Sequence, residues 1–263
     1  MNGLFDLRGS LSNRKSMIIE FSGALIFIII WLSVAESGLV PQTILPSPFK
    51  VLMSLRDLYY DDSLVGNILF SLKLNFLGYL EAVAIALPLG FLIGLIPLCR
   101  ALSARLLSSM RYLPLPAAMG LFILWFGIGS NMKVQFLSFG ILVYLLPVVV
   151  QRIDEVNDVY IQTIKTLGAS KWQTVKHVFI PDCLSRISDD IRVLVAISWT
   201  YIIIAEVVNK SEGGIGALAY TSARQSRVDK VFAILIIIVF IGFVQDKLFV
   251  LLDRRFFAFK YTR

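Results

Sequence analysis

Reaction chemistry needs nucleophiles, acids, bases or metal ligands within reach of one another, and this chain is poor in them. His177 is its single histidine, so an HExxH zinc site is excluded and any Ser–His or Cys–His pair must use that one imidazole. Cys99 and Cys183 make no CxxC pair, have no metal-ligand spacing, and are too few for a disulfide framework. A GxxxxGKS/T phosphate loop is also missing. No catalytic residue and no metal site are assigned, and the chain is not expected to hydrolyse ATP by itself. The remaining chemical candidates are polar groups inside otherwise apolar stretches. Glu81 lies within one such stretch. Ser198, Trp199, Tyr201 and Glu206 lie within another, followed closely by Gly213, Gly214 and Gly216. Charges at such positions mark a solute pathway or gate by default. Glu206 can alternatively anchor the glycine-rich loop, and Glu81 can reach back toward Lys73 at the surface.

The elements that must position these groups follow from composition. Of 263 residues, 57% are hydrophobic and 16% charged, and the mean hydropathy is +0.77. Soluble domains are about 45–50% apolar and about 25% charged, so an ordinary soluble enzyme is excluded. A membrane-crossing helix needs about 20 mostly apolar residues. Six stretches qualify: 18–36, 74–98, 112–129, 134–151, 190–208 and 231–251. The expected fold class is therefore all-α, a polytopic membrane protein with about six transmembrane helices. The third and fourth stretches are separated by a turn at Gly127–Asn131. Gly90-x-x-x-Gly94 offers a small-residue face for close helix packing. Residues 48–62 read as an amphipathic helix lying on the outer membrane face.

Charge placement sets the expected orientation. Arg8, Arg14 and Lys15 precede the first stretch. Arg100, Arg105 and Arg111 lie between the second and third, and Arg254, Arg255, Lys260 and Arg263 follow the last. Lys and Arg are retained in cytoplasmic loops, so both termini are expected inside. The net charge of +7 is dispersed over several loops, which makes it an orientation signal and argues against nucleic acid as a partner.

One loop departs from the rest. Residues 152–189 carry Val156, Val159, Tyr160, Ile164 and Leu167 at helical spacing. Gly168 interrupts them as a hinge, and Ser170 is placed to cap a second helix bearing Trp172, Val175, Val178 and Phe179. Pro181 is expected to end that helix. A loop this long with exposed aromatic residues reads as a docking element for a cytoplasmic partner.

In this loop, Gly168 is followed after nine residues by Val178-Phe179-Ile180-Pro181. The pattern resembles the cytoplasmic loop of ATP-binding-cassette (ABC) importer permeases, whose form is Glu-Ala-Ala, three residues, Gly, nine residues, Ile-x-Leu-Pro. Thr166–Gln173 is similar to the nitrate/sulfonate/taurine/bicarbonate branch. LPSP at 45–48, LPLG at 87–90, Pro114-x-Pro116, ILWFGIG at 123–129 and EGGIG at 212–216 follow in the family's order, so the resemblance covers roughly residues 40–255. The Glu-Ala-Ala position is occupied by Gln162, Thr163 and Ile164, so the family's carboxylate is replaced by an amide. Asp154, Glu155 and Asp158 lie upstream and could supply the charge. Lys165, Leu167, Gly168, Ala169, Ser170, Lys171, Trp172 and Pro181 complete the coupling loop that the resemblance implies, with Thr163–Trp172 as the moving element.

The resemblance implies the fold of a type I ABC importer permease. It implies a single permease domain over 18–251 between cytoplasmic ends at 1–17 and 252–263, in a bacterial inner membrane and surrounded by lipid. The implied partners are a second permease copy, two ABC ATPase subunits that bind ATP and Mg, and a periplasmic or lipid-anchored solute-binding protein. The implied solute is a small anion such as nitrate, bicarbonate, taurine or another sulfonate, with a pyrimidine precursor as the alternative within the family. A channel or secondary carrier working without an ATPase would leave the 152–189 loop unexplained.

Overall fold

The computed structural model describes residues 11–261, so Arg8 and Arg263 lie outside the described residues. The described residues are helical, with no strand among them. The helices are α1 Asn13–Glu36, α2 Pro48–Tyr60, α3 Leu64–Leu95, α4 Pro97–Met110, α5 Met119–Phe126 and α6 Ser130–Asp154. They are followed by α7 Asp158–Thr166, α8 Lys171–Thr174, α9 Ile180–Val208, α10 Ile215–Arg224 and α11 Val228–Phe256. Five helical stretches are long and apolar enough to cross a membrane, or six if one bent pair counts as a crossing.

Two compact units are distinguished. The smaller comprises the chain up to Asp62 together with Thr221–Leu235. In it, Trp31 of α1 stacks on Phe232 with ring centroids 5.8 Å apart, and its indole N–H donates to the Pro46 carbonyl at 3.0 Å. The expected amphipathic helix at 48–62 is α2. It is capped by Ser47, buries Val51, Ser54 and Leu58, and holds Arg227 through Asp57 at 2.7 Å.

The larger unit, Ser63–Tyr220 with Ile236–Arg263, is organised on α3 and α6. Lipid tails are as apolar as leucine, so helices associate in a bilayer through close packing at small residues. Along α3, Gly78, Ala82, Ala86, Gly90 and Gly94 recur every fourth residue, placing them on one face. A Cβ at Gly78 would come within 2.8 Å of Leu137, one at Gly90 would overlap Val149, and one at Gly94 would overlap Ile153. The three partners advance along α6 in step with the glycines, so the two helices run parallel. Gly90-x-x-x-Gly94 thus packs one helix of this chain against another.

α9 runs antiparallel to α3. The Tyr79 hydroxyl donates to the Ile191 carbonyl at 3.0 Å, and Ser198 Oγ lies 3.1 Å from Asn75 Oδ1. α11 returns along α9, where the Trp199 indole donates to Gln245 at 2.8 Å and Arg192 holds Asp246 at 2.8 Å.

Two sequence expectations are corrected here. The stretch 112–129 does not form one straight span. Pro114 and Pro116 confine its start to a 3-10 turn at Leu115–Ala118, only eight residues of α5 follow, and Gly127 ends α5 at φ +74°. α4 and the 115–126 segment are bent by 98°. Arg100 near the start of α4 pairs with Asp154 at the C-terminal end of α6, whereas Ser130 begins α6. Residues 100–130 therefore travel the length of α6 as a broken crossing. Its last part packs through Leu115, Met119 and Phe122 against Met132, Phe136 and Ala205.

Pro181 likewise does not end a helix. It occupies the first turn of α9, immediately after a π-helical turn at Val175–Phe179, within one helical stretch from Lys171 to Val208. Widening the backbone accommodates a residue that lacks an amide hydrogen and crowds the preceding turn.

Substituting Gly90 with Val should overpack α3 against α6 and cost about 1–3 kcal/mol. Gly23 has open space around its would-be Cβ, and the same change there should stay within about 0.5 kcal/mol. Thermal unfolding of the two purified variants in detergent checks this. Equal losses would contradict the glycine-mediated contact.

Candidate functional site

The 155–174 segment is built as a stiff corner. Asn157 caps α7 by accepting from the Val159 amide at 2.9 Å. At its other end the Gly168 amide donates to the Lys165 carbonyl at 2.9 Å, and the Ala169 amide to the Ile164 carbonyl at 3.3 Å. With Gly168 at φ +78°, these bonds form a Schellman motif, whose left-handed residue is ordinarily glycine. Two residues later Ser170 caps α8 in a reciprocal capping box. Its hydroxyl accepts from the Gln173 amide at 3.3 Å, and the Gln173 side chain accepts from the Ser170 amide at 2.7 Å. The hinge position expected from the sequence is thus a hydrogen-bonded turn in the structure.

The corner is exposed and apolar. Val159 is 61% exposed, Leu167 81% and Trp172 68%, with Tyr160 also exposed, and α7 buries none of its residues. Gln162, Thr163, Lys165, Lys171 and Ser170 are exposed around them, while Ile164 and Ala169 are half-buried.

The base of the corner is clamped by ion pairs. Arg152 of α6 donates twice to Asp190 of α9, both at 2.7 Å, and once to Glu155 at 2.6 Å. Arg186 reaches Asp182 at 3.1 Å and the Glu155 carbonyl at 3.3 Å. The Arg152 hydrogen bond, helped by Gln151, holds the Glu155 carboxyl below its usual range. Asp154 is paired with Arg100 at 2.6 Å, and Asp158 lies in the first turn of α7. Asp154 and Glu155 thus brace the loop from within. They are not displayed as substitutes for the carboxylate missing at Gln162.

At the opposite end of α6 a second polar cluster explains the glycine-rich loop. Glu206 is fully buried. It accepts from Ser71 Oγ at 2.5 Å and from the Gly216 amide at 2.7 Å, while Ser71 accepts from the Ile215 amide at 2.8 Å. Gly213 and Gly214 take φ +86° and +110°. A Cβ at Gly214 would fall within 2.6 Å of both Glu206 carboxylate oxygens, and one at Gly216 within 2.8 Å of the Ile203 backbone. Glu206 has the geometry of an anchor around which this loop is wrapped.

Beside it lies a residue whose role the sequence did not reveal. The Lys133 side chain is wholly buried. It pairs with Glu212 and donates to the Asn209 carbonyl, both at 3.0 Å. Its isolation within the long uncharged run 112–151 was the available signal. Burial pushes the Glu212 carboxyl up, but Lys133 and Ser130 outweigh it and leave that pKa below the ordinary value.

The remaining pathway candidates separate. Ser198 and Trp199 are buried in packing contacts. Tyr201 is half-buried, edge-on to Phe136 at 6.1 Å and close against Gly140. Glu81 differs from them. It accepts from the Gln135 amide at 2.9 Å and lines a cavity of about 500 Å³ shared with Lys73, Ser130 and Asn131. No group of three His, Cys, Asp or Glu residues that could hold a metal ion occurs among the described residues.

Five long apolar helical stretches and an exposed apolar corner between two of them fit the class of membrane transport permeases. The chain matches, over residues 86–258, the family described as binding-protein-dependent transport system inner membrane component, and it belongs to that family. It is 28% identical over 233 residues to SsuC of Bacillus subtilis (strain 168), a permease named for aliphatic sulfonates, covering 88% of this chain and 83% of that one. It is 26% identical over 237 residues to the taurine transport system permease protein TauC of Escherichia coli (strain K12), covering 88% and 86%. Among solved structures it is similar to a chain of the inward-facing MetNI methionine ABC transporter. The TM-score is 0.60 at 19% identity, covering 73% of this chain and 95% of that one, which supports the shared fold.

Two outcomes follow for the Lys133 cluster. Glu212 has a depressed folded pKa, so its contribution is complete above the unfolded value of about 4.3 and is lost as pH falls through the folded one. The thermal midpoint should therefore not respond to Glu212 between pH 8 and pH 5 and should respond to it only below about pH 4. Lys133→Met should lower the midpoint by stranding Glu212 and should remove that acid-side response. A Lys133→Met protein with unchanged midpoint and pH profile would refute the role.

Proposed function

We propose that this chain is the membrane-spanning subunit of an ATP-driven importer. Two copies form the alternating-access pathway, two separate ABC ATPase subunits hydrolyse ATP, and a solute-binding protein delivers the cargo. The family supplies the importer class. The observation that carries the ATPase partner is the exposed corner at 158–172. An apolar surface on a stiff, doubly capped turn is costly to leave in water, and at its base Arg152–Asp190 ties α6 to α9. A push on the corner is then delivered to two membrane helices at once. Coupling of ATP to solute access requires such an element, with two arrangements that the two ligands favour differently. Gln162 replaces the family's carboxylate at the corner, so docking here rests on Val159, Tyr160, Leu167 and Trp172.

Basic residues beside the corner and at the C-terminal end support placing both on the cytoplasmic side, with 1–17 and 252–263 as cytoplasmic ends of a single domain spanning 18–251. The relatives named for aliphatic sulfonates and taurine support a small organic sulfonate as the transported class.

Leu167→Asp and Trp172→Ala should each reduce retention of the co-expressed ATPase on the affinity-tagged permease by about tenfold, the loss expected for a contact worth about 1.4 kcal/mol. Thermal stability of the isolated permease should stay unchanged, because both side chains are exposed. Full retention of the ATPase by the double variant would refute docking at this corner.

A further inference from the structure

The loop that follows α9, residues 209–216, is held on two sides of unequal character. Toward α3 and α9 it is anchored by buried groups. Glu206 and Ser71 accept from the Gly216 and Ile215 amides, and Asn67 accepts from the Gly214 amide at 2.7 Å. Toward the join of α5 and α6 its hydrogen bonds lie at the surface. The Asn209 side chain donates to the Ile128 carbonyl at 2.9 Å, and Glu212 accepts from the Ser130 amide at 3.2 Å and from the Ser130 hydroxyl at 3.0 Å. Gly129 offers α6 no side-chain cap, so the first turn of that helix is capped by Glu212 from the loop. Lys133 ends the same turn, where the helix dipole is positive and a cation is disfavoured. The loop supplies what offsets this charge, the Glu212 carboxylate and the Asn209 carbonyl, both 3.0 Å from Lys133 Nζ.

We propose that the Glu212 clasp on Ser130 and Lys133 is the latch of the pathway's outer gate, closed in this structure and released when the start of α6 parts from α3 and α9. The clasp sits at the end of α6 opposite the docking corner. α6 is thus tied to α9 through Arg152–Asp190 at one end, and to the loop that leaves α9 at the other. Hydrogen bonds at the surface exchange for bonds to water at small net cost, and Glu212 already reaches water with 30% of its side chain exposed. Pulling the loop off its other side would strand the buried Glu206 carboxylate. The loop therefore stays with α3 and α9 and separates from the α5–α6 join. Lys133 keeps the two states distinct. While buried it requires Glu212, and once Glu212 leaves it must hydrate, so a half-open form with Lys133 buried and unpaired is disfavoured. The assignment rests on the importer reading and gives that reading a gate at its outer end.

The test uses the full-length chain in lipid nanodiscs, with Cys99→Ala and Cys183→Ala as background and spin labels on introduced cysteines. Asn131→Cys/Ser211→Cys reports across the clasp, since both positions are exposed beside it and outside it. Gly66→Cys/Ser211→Cys reports across the anchored side, and a Cβ at Gly66 meets nothing within 4 Å. Singly labelled proteins give the background from any second copy. Both pairs should show dipolar broadening at rest. Glu212→Gln should abolish the broadening of the 131–211 pair and leave that of the 66–211 pair unchanged. With the co-expressed ATPase bound and Glu212 in place, ATP with vanadate should have the same selective effect. Unchanged 131–211 broadening in Glu212→Gln or under ATP with vanadate, or loss from both pairs together, would each overturn the latch. The importer reading fails on a different result, the absence of a co-purifying ATPase, and the Glu212→Gln comparison on the permease alone does not depend on it.

Discussion

The contact on which the larger unit depends is the parallel approach of α3 and α6 at glycine distance. Water drives no helix association inside a bilayer, so van der Waals contact must do it, and that contact requires backbones that can come close. Gly78, Gly90 and Gly94 permit this, with Leu137, Val149 and Ile153 filling the space a Cβ would take. Connecting two parallel helices requires a return crossing between them. The broken 100–130 segment supplies it, and the proline-rich start of its second half sits against Gly140, where Leu115 can approach. The α3–α6 pair also fixes both functional ends. Glu81 meets Gln135 across it, Lys133 emerges beside the glycine-rich loop, and Arg152 leaves its other end to clamp α9.

The same arrangement sets how the 155–174 corner is joined to the membrane helices. A helix that could pivot freely at Gly168 would absorb a push. The Schellman turn and the capping box at Ser170 fix the corner locally, and the bidentate Arg152–Asp190 pair joins α6 to α9 at its base. The π turn at Val175–Phe179 is the irregular stretch between corner and membrane helix, and it lies where Pro181 needs relief.

Much of this was legible in the sequence because it rests on local rules. Helical spacing at Val156–Leu167, a capping serine at 170, an amphipathic stretch at 48–62 and long uncharged runs all follow from periodicity and turn chemistry. What stayed hidden depends on partners distant in the chain. The prolines at 114 and 116 mark a break, but only the Arg100–Asp154 pair shows that the broken segment still travels the length of α6. Pro181 stops a helix by local rules, and here a wider turn before it lets the helix continue. Asp154 and Glu155 look like free surface acids until Arg100 and Arg152 are seen beside them. Lys133 resembles any loop-end lysine until Glu212, almost eighty residues later, closes on it.

Glu81 and Glu206 make the same point in chemical terms. Both are single carboxylates in apolar helices, and sequence alone ranks them together as suspects. A buried charge is tolerated when its acceptor sites are filled, and those of Glu206 are met by Ser71 and the Gly216 amide in a space closed to water. Such a group is committed to structure, since a solute could reach it only by unwrapping the glycine loop. Glu81 has one amide partner and an open cavity on its other side. The two carboxylates are therefore told apart by the partners the fold gives each of them and not by their setting in the sequence.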